Sequence, residues 1–138
     1  MPRAARIEIN RGSRRADFSW LPALAKIVNS RFKLKQDISL ALVSPALMKR
    51  LNRVYRAKDQ VTDVLSFNID NDLVLGEVII CPEQASRQAR SRRVSYQSEL
   101  KLLTVHGILH LLGYDHERSA TAARRQLRLE HQILAELS

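Results

Sequence analysis

Acidic residues, cysteine, glycine, proline and aromatics are all in short supply in this chain of 138 residues, and each shortage closes off a class of protein. With a single cysteine, Cys81, no internal disulfide can form, so a disulfide-stapled secreted fold is excluded and a reducing, cytoplasmic setting fits. Cys81 ends an apolar run, where packing is its natural role. No apolar run approaches the roughly 18 residues that suggest a membrane span, and no basic n-region with an apolar h-region opens the chain, so a soluble protein without a membrane partner is expected. Four glycines and four prolines form no linker, and there is neither an internal repeat nor a low-complexity tract. One compact domain over residues 1–138 follows, large enough to bury a sizeable core. Aromatics are 5% of the chain and few are interleaved with the basic residues, so no base-stacking platform is evident.

What is abundant is positive charge. The 23 Lys and Arg against 14 Asp and Glu give a formal charge of +9 and a pI near 10.4, which favours an anionic partner, most commonly nucleic acid. The plain alternative is a merely soluble basic surface. The cations cluster at Arg3 to Arg15, at Lys49 to Lys58, at Arg87 to Arg93 and again from Arg118 to Arg128, a distribution suited to backbone-phosphate contact. The Arg-rich start, MPRAARIEINRGSRR, raises the possibility of a transit peptide. Ile7 and Ile9 alternate with polar neighbours, which suits a first β-strand better.

Hydrophobic spacing predicts a helix over Asp17 to Phe32, with Phe18, Leu21, Leu24, Ala25, Ile27, Val28 and Phe32 inward and Pro22 in its first turn. DISLALV alternates as a strand. Ser44-Pro45 reads as a cap and first helical residue, opening a helix that turns Leu47, Met48, Leu51 and Val54 inward and stops near Tyr55 to Lys58. TDVLSFNID and LVLGEVIIC form a strand pair around Asn71-Asp72. Pro82 starts a helix to about Arg92, Ser95 caps a longer one ended by Gly113, and Ser119 begins a last helix to about Leu137, with Leu127, Leu129, Ile133, Leu134 and Leu137 as core candidates. The order β-α-β-α-β-β-α-α-α implies an α+β fold: one small mixed sheet with packed helices and a metal site at the end of a central helix.

That site is the stretch HGILHLLGYDH, which holds three of the four histidines. On a helix, His106 and His110 lie one turn apart on one face, and Gly113 can take the left-handed conformation that turns His116 back toward them. Three neutral imidazoles leaving a fourth position open are how a catalytic zinc site is built, although nickel, iron and copper also accept imidazole. A lone histidine pair would suit an ordinary helix surface; three at this spacing around a hinge glycine point to one divalent metal ion. The pattern matches the zinc-protease H-E-x-x-H-x-x-G-x-x-H at every His and at the Gly, but Gly107 replaces the glutamate that deprotonates water in those enzymes. Peptide hydrolysis is demoted accordingly. Phosphodiester cleavage, which chiefly needs a metal-activated water and charge stabilisation by a guanidinium, moves forward.

HGILHLLGYDH resembles the signature of the YbeY family of bacterial rRNA maturation factors and single-strand endoribonucleases. Asn52-Arg53-Val54-Tyr55-Arg56, Lys58-Asp59, Thr62-Asp63-Val64-Leu65-Ser66-Phe67 and Leu75-Gly76-Glu77-Val78-Ile79-Ile80 are similar to further blocks of that family. Two departures stand out: Asn68 follows Phe67 where the family often has proline, and the segment from Phe67 to Leu75 is short. The resemblance implies an α+β fold, a zinc-like ion on His106, His110 and His116, and single-strand-specific endoribonuclease activity. It also implies maturation of the 3′ end of small-subunit rRNA and ribosome quality control. Its partners would be RNA, the pre-ribosomal small subunit and, beyond them, ribosomal proteins or an assembly GTPase. By position it gives the catalytic roles to Arg56 and His110. A planar guanidinium at Arg56 can clamp two phosphate oxygens; the plain reading is a surface arginine at a helix end.

Asp115 is open to two readings, orienting a histidine or making a turn. Asp63 suits a contact with Thr62 or Arg56, or a structural turn. Tyr55 and Tyr114 are open to stacking on a base, though packing beside their motifs is the plainer reading, and His131 is expected to lie on the surface. Two rival functions stay open. One is a ribosome-assembly binding factor whose metal is largely structural. The other is a metalloprotease in which Glu77, Glu99 or another distant acid folds into the place that Gly107 vacates.

Overall fold

The computed structural model describes residues 5–12, 15–114 and 119–138. Its elements run β1 (Ile7–Asn10), α1 (Leu21–Phe32), β2 (Asp37–Leu42), α2 (Pro45–Arg56), β3 (Val64–Asn68), β4 (Val74–Ile80), α3 (Pro82–Arg92), α4 (Tyr96–Leu111) and α5 (Ala120–Leu137). The strands form one sheet in the order β1-β2-β4-β3. β1 and β2, and β2 and β4, pair in parallel; β3 and β4 pair antiparallel, with Phe67 opposite Glu77 and Asn68 opposite Gly76. The fold is the expected α+β arrangement with a mixed sheet.

The apolar run of β4 is covered on both faces, as befits a central strand. Successive strand residues point to opposite sides, and here they divide the core in two. Val78 and Ile80 enter the larger core with Leu24, Val28, Leu100, Ile108 and Ile133 from the helices. Ile79 enters a smaller one with Val43, Met48 of α2, Leu65 of β3 and the buried Cys81, whose packing role is thereby confirmed. α2 thus covers one face of the sheet while α1, α4 and α5 cover the other.

Several expectations are corrected. α1 starts at Leu21 rather than Asp17, because the Asp17 carboxylate accepts the Ser19 N–H at 2.9 Å and bends the chain locally before the helix can begin. On α2, Leu47 and Val54 face outward, Val54 being 65% exposed, while Asn52 is buried. On α5, Leu127 is outside and Gln126 and Glu130 are inside. In each case the helical stripe is rotated toward what the neighbouring elements actually cover.

Candidate metal centre

The site is built on α4. The Ser95 hydroxyl accepts the Ser98 N–H at 2.9 Å and starts the helix, whose residues from Leu103 to Leu111 are then buried on nearly every side. His106 and His110 interrupt that envelope. His110 is exposed, and the His106 side chain keeps 31% of its surface.

β3 and β4 lie against the same helix at unusually short range. A Cβ at Gly107 would sit 2.5 Å from Val78 Cγ1, and one at Gly76 would sit 2.6 Å from Leu111 Cδ2 and 2.4 Å from the Phe67 carbonyl oxygen. Close seating lets β3 bond to the helix directly. The Ser66 hydroxyl donates to the Gly107 carbonyl at 3.2 Å, and the Asn68 amide donates to the Leu111 carbonyl at 2.9 Å. Asn68, the departure from proline noted in the sequence, therefore holds the last turn of the histidine helix.

The helix ends as its sequence predicts. Gly113 takes φ +97°, its N–H donates to the His110 carbonyl and the Tyr114 N–H donates to the Leu109 carbonyl, both at 3.0 Å. Tyr114 packs against the main core with its ring edge toward Phe32, as expected. His116 and Asp115 lie outside the described residues. Among the described residues no group of three His, Cys, Asp or Glu side chains is placed to hold a metal, so a triad needs a ligand beyond them.

After that segment the Ser119 hydroxyl caps α5 by accepting the Ala122 N–H at 3.0 Å. Helix α5 returns along α4 and brings a carboxylate that the sequence reading missed. Glu130 Oε1 lies 2.6 Å from His106 Nδ1, and the Gln126 amide nitrogen lies 3.1 Å from the same ring nitrogen and 3.3 Å from Glu130 Oε1. Both residues are buried, at 5% and 1% exposure. With Nδ1–H donated to the carboxylate, the imidazole lone pair is on Nε2, the tautomer and ring orientation of a metal-ligating histidine. Two imidazoles one helical turn apart, one with a buried carboxylate on its Nδ1, are donors of the kind a divalent ion takes. The signal available in the sequence was Gln126 and Glu130 sharing the helical stripe of the core residue Ile133.

Beside His106 and Glu130 opens a cleft of about 220 Å³ whose wall includes Asp63, Arg92 and Glu99. The Arg92 guanidinium donates to Glu99 at 2.7 Å. Burial lifts the Glu99 carboxyl above the usual carboxylate value, Arg92 opposes that lift and Asp63 adds to it. Asp63 accepts from the Thr62 hydroxyl at a long 3.4 Å and gives its carbonyl to the Cys81 N–H. Glu77 accepts from Ser39 on the sheet at 3.0 Å, and it alternates with Val78, so it points away from the face that α4 covers. Of the acids named for the protease reading, Glu77 thus faces away from the histidine helix and Glu99 is engaged by Arg92.

Arg56 is the last residue of α2 and is exposed. Beyond it Ala57 adopts φ +56°, and the buried Asn52 amide clasps the following loop by donating to the Gln60 carbonyl at 3.0 Å. Tyr55 packs its ring against Phe67 of the neighbouring motif, as expected, yet is 63% exposed; His131 is on the surface as expected. The ends of α2 and α4 converge on one end of β3: Tyr55 meets Phe67 on one face, and Leu111 meets Asn68 on the other. Arg56 and His110 are each one residue from those contacts.

The sequence model of the family described as endoribonuclease YbeY matches residues 7–138. Among curated relatives, an endoribonuclease YbeY of Thermodesulfovibrio yellowstonii is 46% identical over 105 residues, covering 72% of this chain and 66% of its own length. One from Aquifex aeolicus is 41% identical over 106 residues, covering 74% and 71%. The matched part thus spans about two thirds of these relatives. The solution structure of TM1509 from Thermotoga maritima superposes with a TM-score of 0.67 at 30% identity, covering 95% of this chain and 88% of that one.

Proposed function

Because the chain belongs to the endoribonuclease YbeY family, we propose that it is a metal-dependent endoribonuclease that cleaves single-stranded RNA, with the rRNA of the pre-ribosomal small subunit as substrate. The activity is assigned to residues 1–138 as one unit acting in the cytoplasm. No helix among the described residues is long and apolar enough to cross a membrane. The observation that carries this reading is the buried Glu130 carboxylate at 2.6 Å from His106 Nδ1.

His106, His110 and His116 are the proposed ligands, and zinc the proposed ion, since three imidazoles suit it. When bound, the ion would supply Lewis acidity and a nucleophile at neutral pH. The protein's own part is placement. Glu130, to which the Gln126 amide donates, fixes the His106 ring, Gly113 ends the histidine helix in a left-handed turn, and Arg56 engages the phosphate whose charge grows in the transition state. With no side chain at position 107 to act as a proteolytic base, the reading favours phosphodiesters over peptides.

The test joins metal analysis to cleavage of a precursor rRNA fragment. The wild type should carry about one divalent ion per chain and cut the RNA. Chelation or His110→Ala should abolish cutting, while Arg56→Ala should keep the metal and lose roughly a hundred- to a thousandfold in rate, the effect of removing one transition-state donor. RNA that is bound but left intact by rigorously nuclease-free, metal-loaded protein would sink the enzyme and favour the assembly factor.

A further inference from the structure

The exposed side of α2 carries a feature that the reaction at the histidines does not use. Tyr55 is 63% exposed, and its ring leans on Phe67 with centroids 4.8 Å apart and planes tilted by 54°. Phe67 is half-buried against the smaller core, so the tyrosine rests on a fixed support. A ring seated in this way loses little freedom when a second planar group lies on its open side. Lys49, Arg50, Arg53 and Arg56 stand exposed on the same helix, which contains no acidic residue. The nearby Asp59 approaches Arg53 only to 3.9 Å, between groups that are both about 60% exposed, too weak a pair to cancel the charge.

We infer that Tyr55, seated on Phe67, is a stacking platform for one base of a single-stranded RNA whose phosphates run along the basic face of α2. This rests on the proposed ribonuclease function and adds a binding subsite to it. Charge selects the partner: an apolar protein surface would have to desolvate the neighbouring cations, whereas a polyanion is drawn to them. Stacking selects the strand. An open ring accepts any unpaired base by its face, while the bases of a duplex already stack on one another. Location fits as well, since Asn68, the residue after Phe67, holds the end of the histidine helix at Leu111.

Fluorescence anisotropy tests the platform, using a labelled single-stranded oligoribonucleotide, its duplex and an abasic strand. The full chain carries His110→Ala so that the RNA stays intact. Adding Tyr55→Ala should weaken single-strand binding roughly five- to a hundredfold, the range of one lost base–aromatic stack. Duplex binding and the salt slope of single-strand binding should not move, because phosphate contacts remain. Tyr55→Phe should restore affinity, and the abasic strand should bind both proteins alike. Equal single-strand affinity with Tyr55→Ala, equal losses for strand and duplex, or no rescue by Tyr55→Phe would each overturn the platform. Cleavage, scored separately with His110 in place, tells the two readings apart. Tyr55-dependent binding without cleavage overturns the nuclease and keeps the platform; cleavage with Tyr55-indifferent binding overturns the platform alone.

Discussion

A side chain at position 107 has nowhere to go. Its first carbon would lie 2.5 Å from a methyl of Val78 and 3.0 Å from the Ser66 hydroxyl, so a glutamate there would be driven into the sheet before it could act on anything. The missing proteolytic base is therefore a packing requirement as much as a chemical one. Gly107→Ala should test this. Overpacking costs about 1–3 kcal/mol and replacing a helical glycine by alanine returns about 1 kcal/mol, so chemical denaturation should read a net loss of up to about 2 kcal/mol. Val78→Ala in the same chain should recover part of it; additive losses from the two substitutions would mean that the cause is not this contact. Glu130 offers the second residue-scale prediction. Glu130→Gln keeps the shape but removes the charge, and competition against a chromophoric chelator should show metal affinity lowered about ten- to a hundredfold. Unchanged affinity would mean that the 2.6 Å contact does not tune the histidine. The pairing of His106 with His110 was legible because their spacing lies within one helix. Glu130 was not, because it stands 24 residues from His106 on another helix and reads there as one more charge.

Between elements, the link from α3 to α4 runs through Arg92 and the buried Glu99. Burial raises the Glu99 carboxyl above its unfolded value of 4.5, with Arg92 opposing the shift. The folded state thus keeps the proton that the unfolded chain has already released. Glu99's favourable contribution is complete below pH 4.5 and is lost as pH rises through the raised folded value. The stability of Glu99→Gln relative to wild type should accordingly increase across that window, as measured by denaturant titration at successive pH values; parallel pH profiles would refute it. The order and type of the elements were readable from periodicity, caps and turn residues. Their rotations were not always so. Val54 and Leu127 lie on apolar stripes that their own sequences define, yet the covering partner lies elsewhere in the chain, and helical spacing does not say how wide that cover is. The start of α1 escaped for a local reason, since Asp17 diverts the backbone by its own hydrogen bond.

For the molecule as a whole, the charge of +9 governs encounter with RNA more than it governs the fold. If Lys49, Arg50, Arg53 and Arg56 each neutralise one phosphate of a single strand, the log–log dependence of affinity on salt should have a slope of roughly −3. Arg53→Ala should make it shallower by about 0.7. A slope near zero in the wild type would exclude phosphate contacts as the source of affinity. Apart from Arg56, those cations can move or trade places along α2 with modest effect. The distance between α4 and the β3–β4 edge has no such latitude, because it is set by Gly76 and Gly107, where one added methyl meets another atom at 2.6 Å or less. In a saturation library selected for function, Lys49, Arg50 and Arg53 should accept many exchanges while these two positions return glycine, making the dimensions of the site a record of two side chains that were never added.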